Sequence, residues 1–390
     1  MIQQRYLTPR WLIACIVFMN MFIPLSIDLY LPALPEMGHY FQAGEMLVNL
    51  TLVAFFLFFA VGIILFGPLC DKYGRRPVLI GGTMLYTASS LLCAAAPSIY
   101  VLIAGRILQA LGAGCMITVA TALIKDCFAG KNMTRILAVT QALNVIAPMA
   151  APILGGFLLT YTTWHGAFYL LTALGLVSLV MALLLTEPLA AEERSQVPIF
   201  KALGLLIAYT KHRQFMIILT MFSLLAAPYM AYLSISSFVY IQYFGLSAQT
   251  YSFYFAANSA AAVIGPIIYL HLVSHVSRKT LTKGCFFVTA VSSAAVLTSG
   301  HLSALGFLLS FLPFTITEAI IRPFTMDILL KSAKEDIGTA SSLINFVPTL
   351  LGSLGMALST LPWGNFITGL GSIMAGALFG ALLLWRKAKL

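Results

Sequence analysis

The apolar residues of this chain neither alternate nor recur every three to four positions. They run in blocks of about 20 separated by short polar segments, and a helix of that length, at ~1.5 Å per residue, crosses the hydrocarbon core of a bilayer. Twelve such blocks occur, over residues 11–33, 47–68, 78–96, 99–123, 137–159, 166–186, 214–237, 250–271, 284–300, 303–325, 339–360 and 365–385. Glycine and proline stand inside several of them, which membrane helices tolerate where neighbours satisfy the freed backbone groups. The first block is too long for a removable signal peptide and leads into Pro32 and Pro35 without a small-residue cleavage site. The pattern predicts an all-α integral membrane protein with twelve transmembrane helices.

The longest polar stretch, Glu187 to Arg213, lies between the sixth and seventh blocks. It divides the chain into a six-helix half (1–186), a cytoplasmic linker (187–213) and a second six-helix half (214–390). Two six-helix halves around a central cavity is the plan of transporters whose substrate site lies near the bilayer midplane. Internal self-similarity is slight: Arg278 and Lys279, between spans 8 and 9, echo Arg75 and Arg76, between spans 2 and 3.

Composition narrows the class further. Of 390 residues, 60% are hydrophobic and 9% charged, against roughly 25% charged in soluble domains, which excludes a water-soluble enzyme and, equally, a disordered chain. The net charge of +10 would suit a nucleic-acid binder, but no aromatic-basic cluster stands outside the membrane. With the N-terminus in the cytoplasm, every Lys and Arg except Arg106 and Arg322 falls in a cytoplasmic segment. That positive-inside bias is complete and places both termini in the cytoplasm. The six cysteines show no metal-ligand spacing or disulfide framework, and His271 and His275 lack a third ligand. Neither a phosphate loop nor the paired aspartates of a membrane transferase occur in the sequence, so no metal or cofactor is expected.

Six segments carry a family resemblance. Gly67-Pro68-Leu69-Cys70-Asp71-Lys72-Tyr73-Gly74-Arg75-Arg76-Pro77 resembles the loop 2–3 motif of the major facilitator superfamily, Gly-x-Leu-x-Asp-x-x-Gly-Arg-Arg/Lys. Its glycines allow a tight turn, and Asp71 lies where the positive end of span 3 and nearby arginines can hold it. Gly67, Asp71, Gly74, Arg75 and Arg76 are therefore the expected cytoplasmic gate, with Asp71 its latch. Leu102, Arg106, Gln109 and Gly112 resemble the superfamily's span 4 motif, with Ala110 where the family usually has glycine. Pro148 and then Ala151-Pro152-Ile153-Leu154-Gly155-Gly156 resemble the Gly-Pro-x-x-Gly-Gly element of its antiporters, with Ala142 and Ala151 replacing glycines. Pro148, Pro152, Gly155 and Gly156 are thus the expected bend, or a seal against proton leak. Finally, Pro24-Leu25-Ser26-Ile27-Asp28-Leu29-Tyr30-Leu31-Pro32-Ala33-Leu34-Pro35, Trp164-His165-x-x-Phe168 and Gly338-Thr339-Ala340-Ser341-Ser342-Leu343 look like the bicyclomycin/chloramphenicol-resistance (Bcr/CflA) group of drug:proton antiporters. That resemblance implies an exporter of small, largely apolar compounds in the bacterial inner membrane, driven by proton entry.

An arginine inside a span costs several kcal/mol unless it faces a cavity or a partner. For Arg106 the expected partner is Asp28, at similar depth in the outer half of the membrane, and a static buried pair seldom repays its desolvation. Asp28 and Arg106 are accordingly the candidate proton-coupling centre. Span 10 carries Glu318 and Arg322 one turn apart, where relatives tend to have small neutral residues. The two can brace each other or contact a charged substrate such as a carboxylate through the planar arginine fork. Further candidates for the cavity wall are Asn20, Tyr30, Gln109, Gln141, Asn144, Tyr229, Tyr232, Tyr254, Asn258 and Asn345, although each serves equally well in helix-to-helix packing.

The expected function is proton-coupled multidrug efflux by alternating access, in a monomer whose partners are a small-molecule substrate, protons and lipid. A dedicated exporter of an endogenous metabolite, such as a carboxylate siderophore or an amino-acid derivative, would carry the same spans and motifs. A non-transporting receptor or scaffold of the same fold is the alternative of a different class. Sidedness is testable directly. A cysteine at Ser247, in the loop between spans 7 and 8, should react with an impermeant thiol reagent from outside, and one at Ser195 should not; the opposite labelling pattern would reverse the orientation.

Overall fold

In a computed structural model of the chain, residues 8–128, 130–190, 192, 194, 204, 208–332 and 337–388 are described. Among them there is no strand, and helices account for all twelve expected spans. Span 1 covers Pro9–Phe41, span 2 Glu45–Tyr73, span 3 Arg75–Ala94, span 4 Ile99–Cys127, span 5 Gly130–Leu158 and span 6 Trp164–Leu184. Span 7 covers Arg213–Tyr243, span 8 Ala248–Leu272, span 9 Arg278–Thr298, span 10 Ala304–Ser332, span 11 Ile337–Ser359 and span 12 Phe366–Trp385. Eleven of these are long and apolar enough to cross a membrane over their described residues, and span 5 adds the apolar stretch Ile146–Leu158. The chain is a multi-pass membrane protein.

Spans 1 and 7 are not the continuous helices that the apolar blocks suggest. Span 1 is built from helices Pro9–Asn20 and Phe22–Asp28, a 3-10 turn Leu31–Ala33, and a helix Leu34–Phe41. Pro9, Pro24, Pro32 and Pro35 each fall in the first turn of a piece, where the missing N–H has no intrahelical acceptor to lose. Span 7 runs as Arg213–Ser223 and Ala226–Ser237, then opens into a π-turn over Phe238–Tyr243. Hydropathy is blind to these breaks because the residues stay apolar across them.

The chain divides into two compact units. The first comprises Met1–Ala43 and Ala54–Leu203, the second Gly44–Val53 and Gly204–Leu390. Within the first, span 3 packs on spans 4 and 6, and the pieces of span 1 pack on span 5. Lipid is as apolar as leucine, so such contacts depend on close approach through small residues. The clearest case is Gly155, where a methyl group would collide with the backbone carbonyl of Leu29. Span 5 thereby lies directly against the segment that carries Asp28. Within the second unit, span 9 packs on spans 10 and 12, span 7 on span 11, and span 8 on span 10. The pairings 3 with 4, 3 with 6 and 1 with 5 thus reappear six spans later.

Candidate functional site

In the first unit Arg106 is fully buried in a nest of rings. Its guanidinium carbon lies 4.1 Å from the ring centre of Phe55, 4.6 Å from Tyr30 and 5.8 Å from Phe168. The negative faces of these rings stabilise the cation, by about 0.5–2 kcal/mol for each good contact. Arg106 Nη1 donates to Gln109 Oε1 (2.5 Å) and Gln109 Nε2 donates to Ser90 Oγ (2.7 Å). Ser90 Oγ in turn donates to the Tyr86 carbonyl (2.7 Å), and the Tyr86 hydroxyl shares a hydrogen bond with Ser26 Oγ (2.5 Å). Two guanidinium nitrogens, Nε and Nη2, have no hydrogen-bond partner among the described residues.

Asp28 is also buried, at 4% exposure, and makes no hydrogen bond or ion pair among the described residues. The ion pair expected between Asp28 and Arg106 is therefore not formed. The helix ends at Asp28 and a 3-10 turn follows, so that Tyr30, two residues on, is the group this segment lays over the guanidinium. Tyr30 belongs to the segment of specific resemblance and Phe168 to another of the resembling segments, and both meet Arg106. Asn20 is turned away from the nest, donating from Nδ2 to the Ile16 carbonyl (2.8 Å). Pro148 and Pro152 lie inside a continuous span 5, and Gly155 and Gly156 are buried. The side chains of Gln141 and Asn144 lie outside the described residues.

At the turn between spans 2 and 3 of the same unit, Arg75 is the centre of a charge cluster. Its Nη1 bonds Asp71 at 2.5 Å and its Nε bonds Asp126 at 2.7 Å. Gly74 turns the chain with φ +98°, a conformation that side chains resist. That turn presents the first N–H groups of span 3, which have no partner within their own helix. Glu187 fills the position: its two oxygens accept from the N–H of Arg75 and of Arg76, each at 2.9 Å, and Oε1 also accepts from Leu189 (3.1 Å). A Cβ at position 74 would stand 2.6 Å from that carboxylate. The acid at the start of span 3 is thus Glu187, from the first residues of the linker. Asp71, half exposed, instead holds Arg75, and Arg76 Nη2 donates to the Leu183 carbonyl (3.0 Å).

Asp126 and Glu187 were not singled out by the sequence pattern. A usable signal for Asp126 lay in the second half, where Arg278 at the start of span 9 faces Asp327 at the end of span 10 (3.9 Å), at nearly the same separation along the chain. Asp327 also pairs with Lys331 at 2.6 Å.

In the second unit, Glu318 accepts from Arg322 Nε at 2.7 Å, and the guanidinium carbon lies 5.4 Å from the ring centre of Tyr229. Tyr232 and Tyr254 belong to a different group, an aromatic stack in which Tyr232 lies 4.3 Å from Phe311 and Tyr254 lies 5.0 Å from Tyr240. Asn258 Oδ1 accepts from Thr315 (2.8 Å), tying span 8 to span 10. Asn345 is exposed and bonded within its own helix. The second-unit candidates therefore form one charged cluster and several packing contacts. No group of three metal-ligating side chains occurs among the described residues.

Twelve apolar helices, with buried charges inside the spans and a charge-clamped turn between spans 2 and 3, define a secondary transporter. The chain belongs to the Major Facilitator Superfamily, whose sequence profile matches residues 11–356. It is 30% identical over 376 residues to the uncharacterized MFS-type transporter YdgK of Bacillus subtilis (strain 168), covering 94% of this chain and 92% of that protein. It is 29% identical over 178 residues to the multidrug resistance protein MdtL of Shigella flexneri serotype 5b, 46% of this chain and 45% of that one. A solved peptide transporter POT in complex with sulfate matches with a TM-score of 0.77 at 14% identity, over 96% of this chain and 94% of that chain. A D-xylose–proton symporter matches at 0.73 and 14%, over 97% of each. At such identities these structures share the fold.

The cap at Glu187 can be tested by stability. Glu187→Ala leaves two backbone N–H groups of span 3 without their charged acceptor, which should cost about 1–3 kcal/mol and lower the melting temperature of the purified protein. A melting temperature equal to wild type would mean that Glu187 does not hold the turn.

Proposed function

We propose that this chain is a proton-coupled exporter of small, largely apolar or amphipathic molecules, of the bicyclomycin/chloramphenicol-resistance type. It would work in the bacterial inner membrane with both termini in the cytoplasm. The observation that carries the reading is a complementary pair left apart: a buried carboxyl with no partner among the described residues, Asp28, and a buried guanidinium with two nitrogens unpaired among them, Arg106, in one helical unit. An ionised carboxylate buried without cation or donor costs many kcal/mol. We therefore assign the proton to Asp28 in this conformer, and Arg106, held by rings rather than by an acid, is the group that takes over when the proton leaves. Movement of span 1 against Gly155 and span 5 would bring the two together. One charge moving through 100 mV is worth about 2.3 kcal/mol, or roughly a fiftyfold concentration ratio at ~1.4 kcal/mol per decade, which is ample for efflux.

The likeness to MdtL over less than half of the chain supports a drug-like substrate. The Arg75 cluster and Glu187 serve in this reading as the cytoplasmic gate. The alternative of a dedicated metabolite exporter is favoured by one observation, the charged pair in span 10.

The test is proton release. Adding a transported substrate to purified wild type in weak buffer should acidify the medium, and Asp28→Asn should abolish both that release and uphill efflux while substrate binding persists. A mutant that still releases protons and pumps uphill would make Asp28 a structural acid.

A further inference from the structure

Glu318 is 6% exposed and Arg322 58% exposed. The pair therefore buries its negative end and presents its positive end. Glu318 engages one nitrogen, Nε, and the two terminal nitrogens, Nη1 and Nη2, have no partner among the described residues. A brace would be closed on both sides. Here Glu318 and the Tyr229 ring hold the guanidinium in place from behind while its outer edge stays open.

That edge is turned away from the apolar stripe that a bilayer would cover. The apolar stripe of span 10 that a bilayer would cover includes Leu305 and Leu309, both strongly exposed. At about 100° per residue, Arg322 is turned about 100° from Leu305 and about 140° from Leu309. Glu318 and Thr315, which is buried and bonded to Asn258, lie on the same side as Arg322. An arginine on the side of a span away from lipid, with free donors, is a binding group. Tyr229, part-exposed, and Met326, one turn further along at 38% exposure, supply apolar surface beside it.

We infer that Arg322 is a carboxylate-binding group, the anchor for cargo that carries a carboxylate on an apolar, aromatic body. Two parallel N–H donors in one plane match the two oxygens of a carboxylate, and such paired bonds are stronger and more directional than single ones. The inference rests on the exporter reading for the claim that what binds is cargo.

The test uses dansylglycine and its neutral amide, dansylglycinamide, which share an aromatic body and differ at the carboxylate. Binding to the purified full-length protein is followed by dansyl fluorescence. Wild type should prefer the acid by about tenfold or more, equal to ~1.4 kcal/mol. Arg322→Gln should bind both probes equally, with the amide bound as in wild type, and Arg322→Lys, which keeps the charge without the fork, should keep a reduced preference. Should Arg322→Gln bind neither probe, Arg322→Lys decides, with an undiminished preference overturning the proposal. No preference for the acid in wild type, or an unchanged preference in Arg322→Gln, overturns it as well. The two readings fail separately. Proton-driven efflux that requires Asp28, without any acid preference, would leave the exporter standing and remove this site; acid preference that depends on Arg322, without proton-coupled flux, would do the reverse.

Discussion

Hydrocarbon offers no water to an ionised side chain, so each charge carried into a span has to be met by protein. The chain handles its interior charges in three ways. Arg106 is wrapped by Phe55, Tyr30 and Phe168 and tied through Gln109 to span 3. Glu318 is covered and bonded to Arg322, which remains open at its outer edge. Asp28 is covered and bonded to nothing among the described residues. An acid left in that condition stays neutral, moves to a cation or meets water, and those are the steps that a proton carrier needs.

The rest of the architecture keeps that arrangement in place while permitting motion. Gly155 lets span 5 touch the backbone beside Asp28, and the proline-punctuated pieces of span 1 give the same segment hinges on either side. The Arg75 cluster of the first unit and the Arg278–Asp327–Lys331 cluster of the second occupy corresponding places along the chain, six spans apart. Glu187 belongs to the first cluster and ties the beginning of the linker to the turn at Gly74.

Much of this was legible in the sequence, and for identifiable reasons. Span number follows from block length, because twenty apolar residues admit few alternatives. Arg106 and Asp28 stand out since charge is rare in such blocks, and Tyr30 and Phe168 lie within segments that carry the resemblance, that of Tyr30 specifically. What escaped was the contact between them: the pairing of Asp28 with Arg106 was inferred from depth alone, and depth says nothing about the turn at Leu29–Tyr30 that puts a ring over the guanidinium. Asp126 and Glu187 escaped because an acid near a helix end resembles any other solvated charge until the fold brings it to Arg75. The breaks in spans 1 and 7 leave no trace in hydropathy. The open edge of Arg322 depends on which way span 10 faces, and its sequence offers both a brace and a contact.

The central claim is that Asp28 carries a proton while Arg106 is held by rings. Infrared spectroscopy of the protein in lipid reads this most directly, since a protonated carboxylic acid has a C=O stretching band that a carboxylate and an amide lack. The account predicts such a band in wild type that disappears in Asp28→Asn. A spectrum in which the wild-type and Asp28→Asn proteins show the same protonated-acid absorption would contradict it.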